Sequence, residues 1–240
     1  TYLASCSAAA LNHVVDSEID RGMRRTRTRP VASGKVSSQI AVTFAVIVGI
    51  ISFAVLMIWT TQIAAWLAVA ANAFYVLGYT MYLKRRTWKN IVIGGAAGAV
   101  GPLIGWAAIN GDILHWMPWA LFTVIFLWTP PHFWSLALYR TEDYAKAGLP
   151  MLPVTHGNHF TRLNVLLYTV VLIAASLLPF VHGMSGWIYL VSALLLGAGF
   201  MYYAISLYAD YSDALSRSTF RYSIIYLSAL FAALLIDHYL

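Results

Sequence analysis

Apolar residues run along this chain in long unbroken stretches rather than alternating with polar ones. Seven stretches, approximately 39–60, 62–83, 90–109, 115–138, 163–182, 187–207 and 220–239, stand out. Each approaches or exceeds the roughly 20 residues that a helix needs to cross the bilayer core. Continuous runs of this length predict helices rather than strands. A membrane β-barrel would show shorter segments of alternating polarity. The predicted fold class is therefore all-α, a polytopic transmembrane helical bundle.

The chain opens inside an eighth apolar run, Thr1 to Leu11, which passes directly into Asn12. About 11 residues are too few to cross. We read this run as the tail of one more span and the numbered chain as an N-terminally truncated piece. A targeting signal would belong to the segment before it.

The connections sort into two sides. One side receives 13–38, 84–89, 139–162 and 208–219; the other receives the turns near 61, 110–114 and 183–186 and the C-terminus. All 15 Lys and Arg residues fall on the first side or at its edge. A wrong span count would scatter them. The positive-inside rule makes the basic side cytoplasmic or its matrix equivalent. Short loops favour a bacterial inner membrane over a mitochondrial one.

Composition agrees. Charged residues make up 10% of the chain and hydrophobic ones 60%, against about 25% charged in soluble domains. No shift in composition marks a linker, so residues 1–240 read as a single domain. Cys6 is the only cysteine, which excludes an internal disulfide and a thiolate metal cluster. Gly94, Gly98, Gly101 and Gly105 recur on one side of the 90–109 helix, a spacing that lets backbones approach. Pro102, Pro130, Pro131 and Pro179 should kink their helices. Trp59, Trp66, Trp116, Trp119 and Trp187 lie near outer span ends, where aromatic belts sit.

Four clusters carry chemistry. In the first, Asn12, Asp16 and Asp20 are spaced by four residues, on one face if the entering helix continues. Two carboxylates a turn apart near a membrane need a compensating cation. Mg²⁺ takes one or two carboxylates plus substrate phosphate oxygens. A solvated helix end with ordinary acids is the bland alternative. The second cluster, Arg21-Gly22-Met23-Arg24-Arg25-Thr26-Arg27-Thr28-Arg29-Pro30, follows at once. Arg forks bind phosphate oxygens bidentately, and without interleaved aromatics the run does not suit nucleic acid. The third, Tyr79-Thr80 to Lys84-Arg85-Arg86, closes a span on the same side, where Lys84 and Arg85 could reach a shared phosphate site; for this cluster and the second, an ordinary positive-inside loop is the alternative. The fourth is Trp128-Thr129-Pro130-Pro131-His132-Phe133-Trp134, followed by Asp143 at the basic mouth. A histidine after a Pro-Pro break inside a span needs a role or a partner; carbonyls freed by the prolines can supply the partner.

In this order, these clusters resemble the UbiA-type membrane prenyltransferase superfamily and, within it, the protoheme IX farnesyltransferases (heme O synthases). The resemblance rests on Asn12-xxx-Asp16-xxx-Asp20, Met23 to Pro30, Tyr79-Thr80 with Leu83-Lys84-Arg85, Asn90 to Gly98, Trp128 to Trp134, and Asp143-Tyr144 through Pro150-Met151-Leu152-Pro153. It implies nine helices around a central cavity, of which about eight are represented here. It implies farnesyl diphosphate and heme B as substrates and Mg²⁺ as cofactor. Asp16, Asp20 and Asp143 would hold the metal. Asn12, Arg24, Arg25, Arg29, Lys84 and Arg85 would take the remaining phosphate charge. His132 would orient or ligate the heme, or act on a proton. Lipid is the expected surroundings, nucleic acid is not an expected partner, and coupling to heme A synthase or terminal oxidase assembly is an expected association. The region near His132, Glu142 and Asp143 lacks the second Asp-rich motif of aromatic-acceptor relatives, which favours a porphyrin over a quinone precursor. A transporter is the alternative of another class. It would place ionisable groups at the midplane in paired halves, whereas the charge here collects at one face.

Overall fold

The computed structural model describes residues 1–240. All regular structure is helical: α1 (Tyr2–Val15), α2 (Ser17–Gly22), α3 (Ser38–Trp59), α4 (Gln62–Ala73), a π-helix (Phe74–Leu83), α5 (Lys84–Arg86), α6 (Asn90–Ala99), α7 (Gly101–Asn110), α8 (Trp116–Leu138), α9 (Thr141–Lys146), α10 (Leu152–Ser176), α11 (Leu178–Val181), α12 (Trp187–Ala209) and α13 (Asp213–Tyr239). Seven of the resulting rods are long and apolar enough to cross a membrane: Ser38–Trp59, Gln62–Arg86, Asn90–Asn110, Trp116–Leu138, Leu152–Val181, Trp187–Ala209 and Asp213–Tyr239. These are the seven spans that the apolar runs predict.

Hydroxyl caps start three of them. Ser37 accepts from the Ile40 amide, Thr61 from Ala64 and Ser212 from Leu215, satisfying amides that a helix start leaves without a partner. Thr61 also donates to the Ala107 carbonyl at 2.7 Å, which ties the turn before α4 to the end of α7. Gly111, at φ 77°, terminates α7 in the left-handed region, where glycine carries no steric penalty.

Helix α3 shows what solvent the protein is built for. Ile40, Phe44, Ile47, Ile51, Val55 and Ile58 form its exposed stripe, while Ala41, Ala45 and Ser52 are buried. Large side chains face outward and small ones inward, the arrangement of helices that pack against each other in lipid. Trp59, Trp66, Trp119 and Trp187 are likewise exposed at the ends where an aromatic belt is expected.

The chain divides into two compact units. The first comprises Thr1–Pro118 and Glu142–Met151; the second comprises Trp119–Thr141 and Leu152–Leu240. Small residues dominate the core of the first unit, with Ala64, Ala65, Ala68 and Ala107 packed around Leu56 and Ile104. Larger side chains fill the second, where Leu172, Tyr189, Phe200, Tyr226 and Leu230 meet Val124. At one end of this second unit, the Asp237 carboxylate accepts from the Ile188 and Tyr189 amides at 3.1 and 3.2 Å and from the Gly186 amide. A carboxylate thereby caps the N-terminus of α12, where the helix dipole favours negative charge.

Several expectations change. Pro130 and Pro131 lie inside α8 and do not break it. The entering helix does not run straight through the acidic residues: α1 ends at Val15 and α2 starts at Ser17. Helix α13 starts at Asp213 rather than near 220, so Arg217 and Arg221 ride its first turns. Among the four spaced glycines, only Gly94 is a close-approach site, with the Tyr79 ring where a Cβ would go; Gly98, Gly101 and Gly105 face open space. Pro102 and Pro179 do mark bends, at the α6–α7 and α10–α11 joins.

Candidate active site

Helix α1 and the following turn deliver Asn12, Asp16 and Asp20. Asp16 sits at the break with φ −90° and ψ 3°, yet its amide still donates to the Asn12 carbonyl at 2.9 Å and the Asp20 amide to the Asp16 carbonyl at 2.8 Å. The i→i−4 pattern survives the break, which keeps the three side chains together. All three are buried, Asp16 completely.

The opposing surface comes from α4 and the π-helix. Asn72 Nδ2 donates to the Ala4 carbonyl at 3.2 Å, Asn12 Nδ2 donates to Thr80 Oγ1 at 3.1 Å, and Lys84 Nζ donates to Asp16 Oδ2. Each pair is separated by 68 residues. A constant offset means that the two segments run side by side in the same direction and in register. Segments with one returning helix between them, here α3, must run in the same direction if each crosses the membrane.

The π-helix is the local device that builds this face. It occupies ten residues, Phe74–Leu83, where such structure usually appears as a single turn, often at functional sites. Thr80 Oγ1 donates to the Tyr75 carbonyl five residues back at 2.9 Å, which leaves its lone pairs for Asn12. Lys84, immediately after the π-helix, meets Asp16. The apolar pattern of this stretch carries no sign of the change in helix type.

Charge in the cluster is balanced internally. Asp16 Oδ2 accepts from Asn12 Nδ2 at 2.9 Å as well as from Lys84. Asp20 Oδ2 accepts from Arg29 Nη1 at 2.8 Å. Arg85 Nη2 donates to the Val15 carbonyl at 3.0 Å, satisfying an acceptor that the end of α1 exposes. The basic loop folds back on α2: Met23 and Thr26 are buried, and Thr26 Oγ1 donates to the Asp20 carbonyl. Arg24 and Arg25 stay exposed, and Arg25 lies within electrostatic reach of Tyr79, along with Asp16 and Tyr144.

Asp16 Oδ1 is buried with no hydrogen-bond partner. An orphaned carboxylate oxygen in a buried site is costly, and a hard cation is the partner it lacks. This donor set fits Mg²⁺, which binds through one or two carboxylates and completes its shell with water and phosphate oxygens. No three His, Cys, Asp or Glu side chains lie close enough to hold a metal by themselves. Asp143, expected opposite Asp16 and Asp20, stands half-buried on α9 in the same unit and does not close a protein-only cage with them.

A cavity of about 320 Å³ begins one turn from Asn12. Ala8 and Ala9 of α1, Ala71 and Tyr75 from the α4 side, and Gly98 and Gly101 line it. Small side chains on three rods leave this space, so the glycine stripe shapes a hollow instead of a helix contact.

His132 belongs to the second unit. Its ring stacks on Trp128 at 4.1 Å and 19° and on Phe220 at 4.6 Å and 27°. Nδ1 lies 2.7 Å from Ser223 Oγ. The partner is thus a serine hydroxyl on α13, not a carbonyl freed by the prolines. Sequence reasoning assigned no role to Thr80, Ser223 or Asn90. Asn90 is fully buried with Oδ1 unpartnered. Four-residue spacing between Thr80 and Lys84 was the one available signal for Thr80; nothing in the sequence links Ser223 to His132, 91 positions away.

The chain is similar to known proteins in sequence and in fold. The protoheme IX farnesyltransferase of Methylibium petroleiphilum is 57% identical over 239 residues, covering 100% of this chain and 76% of that protein. The apo structure of a UbiA homolog from Aeropyrum pernix K1 superposes with a TM-score of 0.78 at 20% identity, over 98% of this chain and 86% of the other. A UbiA homolog from Archaeoglobus fulgidus bound to DMAPP and Mg²⁺ gives 0.63 at 15% identity, over 97% and 86%. The profile of the UbiA prenyltransferase family matches residues 1–233. The chain belongs to the UbiA prenyltransferase family.

Proposed function

We propose that this chain transfers the farnesyl group of farnesyl diphosphate to a vinyl group of heme B, giving heme O. The carrying observation is the buried Asp16 carboxylate with one oxygen unpartnered, set among Asn12, Lys84, Asp20 and Arg29. Identity of 57% to a protoheme IX farnesyltransferase over the whole chain supports the heme acceptor. Both compact units belong to one prenyltransferase domain, a reading supported by the family match across 1–233.

Asp16 and Asp20 would hold the metal, with Asp143 from α9 reaching it through water or a phosphate oxygen rather than closing a cage. Bound Mg²⁺ supplies positive charge against the diphosphate. Lys84 and Arg29, which neutralise the two carboxylates in this structure, then face phosphate oxygens, joined by Arg24, Arg25 and Arg85. Asn12 Nδ2 and Thr80 hold the Asp16 carboxylate in place. These cations stabilise the leaving diphosphate as it departs with the electron pair of the allylic C–O bond. The small-residue cavity beside Tyr75 takes the isoprenoid chain and keeps water from the allylic carbon. That carbon bonds to the vinyl terminus, water adds its hydroxyl to the adjacent carbon, and a proton is released.

The basic rim supports an integral protein of the bacterial inner membrane with its site at the cytoplasmic face. Consumption of heme O by heme A synthase, or by terminal oxidase assembly, is the association that follows. Incubating membranes that carry the chain with heme B, farnesyl diphosphate and Mg²⁺ should yield heme O by mass. Absence of that product, or equal product after Asp16→Asn, rejects the reading.

A further inference from the structure

We propose that the Tyr75 ring is a catalytic group, its π-face stabilising the allylic cation that forms as the farnesyl C–O bond breaks. The proposal rests on the farnesyl diphosphate half of the reading above and is independent of the acceptor. When that bond breaks, the electron pair leaves with the diphosphate. The farnesyl fragment keeps one positive charge, shared between its first and third carbons. The metal and the cations around Asp16 stabilise the negative half of this charge separation. The positive half develops at the entrance of the hollow, in surroundings too apolar to solvate it.

Tyr75 is the one aromatic residue that lines the hollow; the others are aliphatic, glycine, small hydroxyl residues or Asn72. It also reaches the acidic cluster. Its hydroxyl lies within electrostatic reach of Asp16 and Arg29. Its carbonyl accepts at 2.9 Å from Thr80 Oγ1, the hydroxyl that meets Asn12. Along the two parallel segments Tyr75 falls between the Asn72–Ala4 contact and the Asn12–Thr80 contact. A substrate with its diphosphate at Asp16 and its tail in the hollow lays its first carbons along this stretch.

The ring is held in place. Tyr79 packs against it with centroids 5.5 Å apart and planes 31° from parallel. Tyr79 in turn occupies the space over Gly94 where a Cβ would go. A ring fixed in this way needs no reorganisation as charge develops. A cation over an aromatic face is attracted by the ring quadrupole, most strongly where water is excluded. Tyrosine and phenylalanine rings both supply this attraction, so the hydroxyl is dispensable for it. The aliphatic side chains around the hollow have no such quadrupole.

The test uses the full chain in lipid nanodiscs with Mg²⁺ and farnesyl diphosphate, read as single-turnover rates of diphosphate release with and without heme B. Tyr75→Phe should keep the rate within about twofold of wild type. Tyr75→Leu should lower it about thirtyfold, the factor a desolvated cation–π contact supplies. Half-saturation by farnesyl diphosphate should change little in Tyr75→Leu, because the intact chain carries no positive charge. A graded series of fluorinated phenylalanines at position 75 alters size little and weakens the π-face stepwise, so the logarithm of the rate should fall in step. A flat fluorinated series, or a wild-type rate in Tyr75→Leu, overturns the proposal. A Tyr75→Phe rate as low as that of Tyr75→Leu overturns it too and assigns the role to the hydroxyl. Should Tyr75→Leu fail to accumulate, the fluorinated series, which keeps the ring, decides. Wild-type protein that releases diphosphate without forming heme O rejects heme as the acceptor, while the fluorinated series still reads the ionisation step.

Discussion

Asp16 and Lys84 meet across two parallel membrane segments, one turn below the point where Asn12 meets Thr80. The pair does two things. It offsets the electrostatic cost of a buried carboxylate in this structure, and it keeps a cation beside the proposed diphosphate site.

Removing the carboxylate charge should cost turnover more than folding. Asp16→Asn is expected to lower heme O formation about 10²–10³-fold, the range for losing one preorganised group that stabilises transition-state charge. Protein abundance in the membrane should fall far less. Parallel immunoblots and mass-detected heme O measure the two. Wild-type turnover in this variant would end the metal-diphosphate assignment.

Lys84→Met leaves a fully buried carboxylate without its cation. Breaking such a pair costs about 3–5 kcal/mol, so melting in nanodiscs should shift down clearly. Adding Mg²⁺ with inorganic diphosphate should recover part of the loss, because the metal replaces the missing positive charge. A variant that melts like wild type would show that the pair carries little stability.

Thr80→Val keeps shape and removes the oxygen that accepts from Asn12. A buried donor left unpaired costs about 1–3 kcal/mol. The expected result is modest destabilisation and a raised KM for farnesyl diphosphate. Thr80→Ser should recover both. If valine and serine behave alike, the hydroxyl plays no part in holding the site.

The hollow lined by Gly98 permits a size test. A Cβ at Gly98 meets open space, so Gly98→Ala should fold normally. Gly98→Leu should obstruct the hollow, raising KM for farnesyl diphosphate more than for geranyl diphosphate. At Gly94, where the Tyr79 ring occupies the Cβ position, even alanine should lower stability. Equal sensitivity to both diphosphates in Gly98→Leu would place the isoprenoid elsewhere.

Asp237→Ala removes the carboxylate that caps α12. Loss of an N-cap acceptor costs about 0.5–2 kcal/mol. Thermal unfolding should register this, while turnover per folded molecule stays unchanged.

Much of the architecture was legible because lipid imposes a one-dimensional rule: a crossing helix must be about 20 apolar residues long. The runs at 39–60 and 187–207 therefore mark α3 and α12 nearly to the residue. The acidic and basic clusters were legible too, since Asn12, Asp16 and Asp20 repeat at helical spacing beside an Arg-rich loop. Gly98 and Gly101 were misread as packing positions, because a stripe of small residues looks the same whether a neighbour fills the groove or leaves it open.

The sequence by itself determined the apolar surroundings and the number of long helices, since both follow from local hydropathy. Only the tertiary structure decided which cation serves which carboxylate, that Phe74–Leu83 winds as a π-helix, and that Ser223 pairs with His132. The two ion pairs and the His132–Ser223 pair join residues 9 to 91 positions apart, and no local pattern in the chain encodes the packing that brings them together.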